Sequence, residues 1–337
     1  MTELKTPVVG PVGMEAPAHL PEISVVLPIF NEEESLPVLF ARLIAVLRSM
    51  GRRFEILAVN DGSRDGSGDV LAALDVRYPE LRVIEFARNY GQTAALMAGF
   101  DNSRGEVVVT LDADLQNDPE DIPSMIAKLH EGYDVVSGWR AGRQDAALSR
   151  KLPSRLANIM ISKISGVRLN DYGCTLKVYR RDIMRGVRLY GEMHRFIPIY
   201  ASWMGARVIE VQVRHHARQF GRSNYGIGRV YKVILDLMVA KFLEDYLVKP
   251  IYVFGGFGFL AIGSSILVLL GAIGLKFYSQ TSLIQTPLPL LAAMLFLIGC
   301  SSVLMGLLAE IMMRTYFESQ DRKPYHFRLP RPPPTAP

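Results

Sequence analysis

The residues with the most evident chemical use are Asp112 and Asp114, one residue apart at the end of the run Val107-Val108-Val109-Thr110-Leu111. An unbroken apolar run of this length reads as a buried strand. The two carboxylates then stand at the carboxyl edge of a sheet, where open α/β sheets bind ligands. Carboxylate oxygens suit Mg²⁺ or Mn²⁺, which keep coordination positions for water and for the phosphate oxygens of a substrate. The pair therefore suits a metal-bound diphosphate, and a nucleotide-sugar is one natural bearer of it. By itself Asp-x-Asp also fits a polar turn after a strand, so the surrounding elements have to decide.

Those elements alternate. Short apolar runs at 23–27, 54–59, 81–86 and 107–111 are each followed by a polar turn, and amphipathic stretches at 36–50, 70–78 and 93–100 separate them. A further strand is expected at 133–137 and a helix at 152–165. Strands alternating with helices of this length imply βαβ units and a mostly parallel sheet, hence an α/β fold. The turns after the first three strands hold Pro28-Ile29-Phe30-Asn31-Glu32-Glu33, Asn60-Asp61-Gly62-Ser63 and Arg88-Asn89-Tyr90-Gly91-Gln92. Turn chemistry has no preference for one edge of a sheet, so acids, amides and glycines at four successive strand ends point to a site. No Gly-x-Gly-x-x-Gly follows the first strand and no Gly-Lys-Ser/Thr loop occurs, which argues against a dinucleotide or P-loop site.

The chain has 337 residues and is 49% hydrophobic, and the excess falls almost wholly after Pro250. There is no charged residue between Ile251 and Leu275, nor between Phe277 and Ala309. Each stretch exceeds the roughly 20 residues that a membrane-spanning helix needs. Spans at about 251–275 and 287–311 would form a helical hairpin within residues 250–314. Lys241 and Lys249 precede the first, Arg314, Arg322 and Lys323 follow the second, and only Lys276 edges the connection. By the basic-residue rule both termini are expected to be cytoplasmic. Residues 1–21, rich in Pro and Gly, read as a disordered arm without a signal peptide, residues 22–229 as the catalytic domain, 230–249 as an amphipathic interfacial helix, and 315–337 as a cytoplasmic tail. Two cysteines, Cys174 and Cys300, make no disulfide framework. The formal charge of +5 is modest, and no nucleic-acid motif is present.

Taken together, the motifs at 28–33, 60–63, 88–92 and 111–116, with Gly221-Arg222-Ser223-Asn224-Tyr225, resemble glycosyltransferase family 2 and, within it, the membrane-associated polyprenyl-phosphate glycosyltransferases. The likeness spans about residues 23–315. It implies a GT-A, Rossmann-like catalytic domain and an inverting transfer of a sugar from a nucleotide-sugar, UDP-linked by similarity to the bacterial members, to a polyprenyl phosphate such as undecaprenyl phosphate. It also implies a place in the inner (cytoplasmic) membrane and assembly as a homotetramer. Where the family usually has two acids before Gly-Ser, this chain has Asn60 and Asp61.

The resemblance assigns roles residue by residue. Pro28, Phe30, Asn31, Glu33, Asp61, Asn89, Gly91, Gln92, Asp112 and Arg218 would bind the nucleotide. Asp112, Asp114 and Gln116 would hold Mg²⁺ or Mn²⁺ on the diphosphate, and Asp114 is also counted as catalytic. Arg140, Arg150 and Ser154 match acceptor-phosphate positions, and the two arginines are counted as catalytic. A phosphate monoester is already an anion at neutral pH, so an enzyme acting on it needs cations where a sugar acceptor would need a base. Arg218 to Ser223 resembles a loop that closes over the donor, while His215 and His216 read as structural. A processive polysaccharide synthase would carry Gln-x-x-Arg-Trp, and the nearest stretch, Glu192-Met193-His194-Arg195-Phe196, does not match. A non-catalytic scaffold would be expected to lose the metal acids, and Asp112 and Asp114 are both present.

Overall fold

In a computed structural model the described residues are 20–141, 161–163, 165–184, 193–217, 219, 241, 249–279 and 282–319. They belong to two compact units divided between Leu237 and Met238.

In the first unit, β1 (Ile23–Ile29), β2 (Phe54–Asn60), β3 (Leu81–Glu85) and β4 (Val107–Thr110) are linked by α1 (Leu36–Ser49), α2 (Ser67–Arg77) and α3 (Gln92–Asn102). After α4 (Ile122–His130) come β5 (Val135–Trp139), β6 (Lys177–Arg180), the short α5 (Arg181–Met184), α6 (Ile197–Trp203) and β7 (Val208–Gln212). The seven strands lie in the order β3-β2-β1-β4-β6-β5-β7. β6 runs antiparallel to both β4 and β5, while every other pairing is parallel. Six strands thus point one way, and their carboxyl ends share one edge.

The sequence explains the central elements directly. β1 is buried at six of seven positions, as befits a strand with helices on both faces. Helix α1 buries Leu36, Leu39, Phe40, Leu43, Ile44 and Leu47, the three-and-four spacing of an amphipathic helix. Removing each such side chain from water is worth about 1.5–3 kcal/mol. The expected strands and helices through Leu111 are found within a few residues of their predicted bounds, and β5 starts two residues later than expected. β6 and β7 were not foreseen, because β6 is four residues long with Lys177 and Arg180 at its ends and β7 carries Glu210. Most of the helix expected at 152–165 lies outside the described residues, as do most of the expected interfacial helix at 230–249 and of the two terminal arms.

The second unit is a hairpin of α7 (Ile251–Ser279) and α8 (Leu288–Ser319). Each holds a stretch long and apolar enough to cross a membrane, Ile251–Tyr278 and Leu288–Met313, so both run past the ends expected from charge alone. Phe257, Leu260, Leu267, Leu297, Leu304 and Ile311 are exposed, which a core helix of a water-soluble domain would not allow. The helices meet through small residues. A Cβ placed on Gly299 would lie 2.8 Å from the Gly258 carbonyl oxygen, and Ser265 and Ser302 donate to the carbonyls of Ala292 and Phe254 across the pair. Close approach of small residues with interhelical hydrogen bonds is how helices associate where apolar side chains gain nothing by leaving lipid.

Candidate active site

The loops after β1 and β2 are tied to each other. The Asn31 N–H donates to Ser63 Oγ at 3.0 Å and Asn31 Oδ1 accepts from the Arg64 N–H at 2.8 Å. Asn31 adopts a left-handed φ of 56°, a conformation Asn tolerates better than most residues. Glu33 accepts from the Gly66 N–H at 2.6 Å, and its own N–H donates to Asp65. Asn31 and Glu33 therefore brace the entrance of α2, with Phe30 half-buried beside them and Pro28 inside β1.

Asp61 is buried and closes the next loop. Its carboxylate accepts from the Tyr90 N–H at 2.7 Å, the Gly91 N–H at 2.9 Å and Asn89 Nδ2 at 2.9 Å. Asp61, Asn89 and Gly91, all expected to bind the nucleotide, form one hydrogen-bonded unit at the ends of β2 and β3. Gly62 makes this possible: its φ is +64°, and a Cβ there would lie 2.4 Å from the Arg88 carbonyl carbon.

Asp112 and Asp114 follow β4, and Gln92, the first residue of α3, donates from Nε2 to Asp112 Oδ1 at 2.8 Å. The Gln116 N–H donates to Asp114 Oδ1 at 3.2 Å. Between them Leu115, buried, has a φ of +62°. For a γ-branched residue this is a strained conformation costing on the order of 1–2 kcal/mol, of the kind that clusters at functional sites. Burial, and next the charge of Asp114, hold the Asp112 carboxyl well above its ordinary range, while Thr175, Arg140 and Lys177 act in the opposite sense. Two carboxylates in a buried place are a poor arrangement for protons alone and a good one for a divalent cation. Among the described residues no cluster of three His, Cys, Asp or Glu side chains forms, so a metal here would draw its remaining ligands from elsewhere, as a metal shared with a diphosphate does.

Arg140, one residue beyond β5, is also largely buried. Its Nε and Nη2 reach Asp171 Oδ2 and Oδ1 at 2.7 and 3.0 Å, a two-point pair with both side chains 9% exposed. Asp171, Lys177 and His194 were not predicted as site residues. Lys177 is buried on β6, its amine donating to the Cys174 carbonyl, and burial lowers it to about 8. The same burial and charge environment links Asp112, Arg140 and Lys177. His194 Nδ1 lies 2.7 Å from Thr93 Oγ1 in the first turn of α3. None belongs to a spaced motif, so only packing reveals them. His216 pairs with Asp118 at 3.0 Å, and Asn117 and His215 form an isolated β-bridge. This joins the segment after Gln116 to the one entering the expected mobile loop. Arg150, Ser154, Arg218 and the loop at 221–225 lie outside the described residues.

Residues 24–188 match the family described as Glycosyl transferase family 2. The chain is 40% identical over 321 residues to a dodecaprenyl-phosphate galacturonate synthase of Rhizobium johnstonii, covering 94% of this chain and 95% of the relative. It is 41% identical over 308 residues to an undecaprenyl-phosphate 4-deoxy-4-formamido-L-arabinose transferase of Pectobacterium atrosepticum, covering 90% and 91%. Among solved structures, the glucosyl-3-phosphoglycerate synthase of Mycobacterium tuberculosis with Mn²⁺ and UDP-glucose is similar in fold, with a TM-score of 0.53, 16% identity, and coverage of 66% of this chain and 79% of that one. The chain belongs to glycosyl transferase family 2, with a GT-A catalytic fold followed by two apolar helices.

Proposed function

We propose that this protein is an inverting glycosyltransferase that moves a sugar from a nucleotide-sugar, a UDP-sugar by preference, to the phosphate of a polyprenyl lipid such as undecaprenyl phosphate. The observation that carries this reading is similarity over nine-tenths of the chain to relatives named for transfer to polyprenyl phosphates. A phosphate oxygen of the lipid attacks the anomeric carbon of an α-linked donor. The bond to the nucleoside diphosphate breaks, and the product is a β-linked polyprenyl-phosphate sugar. Asp112 and Asp114 hold Mg²⁺ or Mn²⁺, with Gln116 beside them, and the bound ion supplies charge neutralisation for the departing diphosphate. The Mycobacterium tuberculosis enzyme of similar fold was solved with Mn²⁺ and UDP-glucose.

Arg140 receives the acceptor phosphate. Asp171 engages two of the five N–H donors of a guanidinium, which leaves that cation oriented and with donors to spare. Arg150 and Ser154 complete the acceptor site, and Arg218 reaches the donor from its loop. Pro28 to Glu33 and the unit of Asp61, Asn89 and Gly91 shape the nucleotide pocket. The apolar hairpin anchors the chain in the cytoplasmic membrane with both termini cytoplasmic, and the functional assembly is a homotetramer.

The test is nucleoside-diphosphate release by detergent-solubilised protein across UDP- and GDP-sugars, with Mg²⁺ or Mn²⁺, with and without undecaprenyl phosphate. Lipid-dependent release is expected with one or a few UDP-sugars. Release that ignores the lipid would overturn the acceptor assignment.

A further inference from the structure

β6 runs against its neighbours, so its first residue, Lys177, lies at the edge where β4 and β5 end. Lys177 stands opposite Thr110 of β4. The Leu111 N–H still pairs with the Val26 carbonyl, so the extended run continues past Thr110 and Asp112 falls on the same side of the alternation as Thr110. Diagonal neighbours in such a ladder are roughly 7–8 Å apart, within reach of a lysine side chain. The amine leans toward the site edge. It donates to the carbonyl of Cys174, three residues back, and not to Ser137 opposite it on β5, whose buried hydroxyl has no hydrogen-bond partner.

The approach to β6 is fastened on both sides of the acid pair. Thr110 Oγ1 donates to the Thr175 carbonyl at 2.7 Å, and Thr175 Oγ1 accepts from Asn117 Nδ2 at 2.9 Å. Lys177 is therefore held in a fixed relation to the turn that carries Asp112 and Asp114. It is buried, and its amine bonds a neutral carbonyl, whereas Arg140 is matched by Asp171 at two points. The lysine charge is not cancelled in a direct pair, and it acts on Asp112 across the protein interior. Gln92 adds a donor on Asp112 Oδ1. A site that grips a free divalent ion carries further acids, whereas this one carries a cation and an amide of its own. Carboxylates so compensated suit an ion whose other ligands are substrate phosphates.

We propose that Lys177 is a resident counter-cation for Asp112 and Asp114, which keeps the acid pair from taking up a divalent ion ahead of the diphosphate. The inference rests on the transferase reading above and deepens its account of the donor site: the diphosphate supplies the negative charge that Lys177 offsets.

The test is Mn²⁺ binding without nucleotide. Loss of the free-ion electron paramagnetic resonance signal is followed at neutral pH with detergent-solubilised wild type, Lys177→Met, Lys177→Gln and Lys177→Arg, and UDP binding without metal is followed by calorimetry. A divalent ion feels the lysine repulsion twice over and a proton once, so the ion gains on removal of the amine even over protons it displaces. Lys177→Met and Lys177→Gln should therefore bind Mn²⁺ about fivefold or more tighter than wild type while UDP binds no tighter, and Lys177→Arg should stay within about twofold of wild type. Lys177→Gln keeps a donor for the Cys174 carbonyl and reads the same loss of charge should Lys177→Met not fold. A purely structural role would move the result the other way, since a disordered acid turn holds the ion less well. Unchanged or weaker Mn²⁺ binding in Lys177→Gln with a wild-type circular dichroism spectrum, equal tightening by Lys177→Arg, or no Mn²⁺ binding by any of the four proteins would each overturn the proposal. The measurement uses neither sugar nor lipid, so tighter Mn²⁺ binding would uphold it even if lipid-dependent turnover failed with every donor, a failure that counts against the transferase reading alone.

Discussion

Arg140 and Asp171 are joined at two points, 2.7 and 3.0 Å, with both side chains nearly excluded from solvent although 31 residues separate them. A buried pair of this kind makes the arginine an oriented cation. Removing one partner leaves the other as an uncompensated buried charge, at a cost of about 3–5 kcal/mol. Asp171→Ala should therefore lower the thermal midpoint of the catalytic unit. In whatever fraction stays folded it should also raise the KM for polyprenyl phosphate more than that for the donor. An unchanged melting temperature would mean the pair contributes nothing to stability.

Asp114→Ala should reduce turnover by at least about a hundredfold, the scale on which loss of transition-state charge stabilisation is felt. The Asp114 carboxylate accepts from the Gln116 N–H at 3.2 Å within its own turn, and the circular dichroism spectrum of the variant should stay that of the wild type. Near-normal turnover would remove Asp114 from the metal site.

The raised Asp112 carboxyl has a consequence for pH. A carboxyl whose pKa is higher folded than unfolded keeps its proton in the native state while the unfolded chain has lost it. The metal-depleted protein therefore loses stability as pH rises from the ordinary carboxylate range toward the raised value. A divalent ion replaces that proton, so the increase in melting temperature caused by Mn²⁺ should grow between pH 5 and pH 8. A stabilisation independent of pH across this window would contradict binding at Asp112.

Gly62→Ala should destabilise the catalytic unit by at least about 2 kcal/mol, since the site demands a left-handed φ and offers no room for a Cβ. Because Gly62 adjoins Asp61 and packs against the 88–89 backbone, nucleotide affinity should fall with it. Chemical denaturation and UDP titration measure the two effects.

In the membrane hairpin, Gly299→Leu would place carbon 2.8 Å from the Gly258 carbonyl oxygen and 2.6 Å from Ile262 Cγ1. Overpacking of this kind typically costs about 1–3 kcal/mol, and the detergent-solubilised protein should melt earlier. Gly256→Leu, at a position with nothing within 4 Å of a Cβ, is the control and should leave the midpoint in place.

The first half of the catalytic sheet, the strand-end motifs, the family and the two apolar helices are legible in the amino-acid order. Parallel strands joined by helices carry their carboxyl ends to one edge, so four polar turns read in order along the chain are also neighbours in space. Helical and strand periodicity and uninterrupted apolar length are local properties, and they survive in one dimension. What those residues touch follows from packing. Asp61, read as a nucleotide ligand, has its carboxylate turned onto the 89–91 loop. β6 enters antiparallel between β4 and β5, and the loop before it brings Asp171 to Arg140 while the strand itself carries Lys177, whose charge acts on Asp112. His194 reaches Thr93 across 101 residues. Contacts of that range have no spacing rule, because they are selected by how layers pack and by the need of each buried charge for a partner.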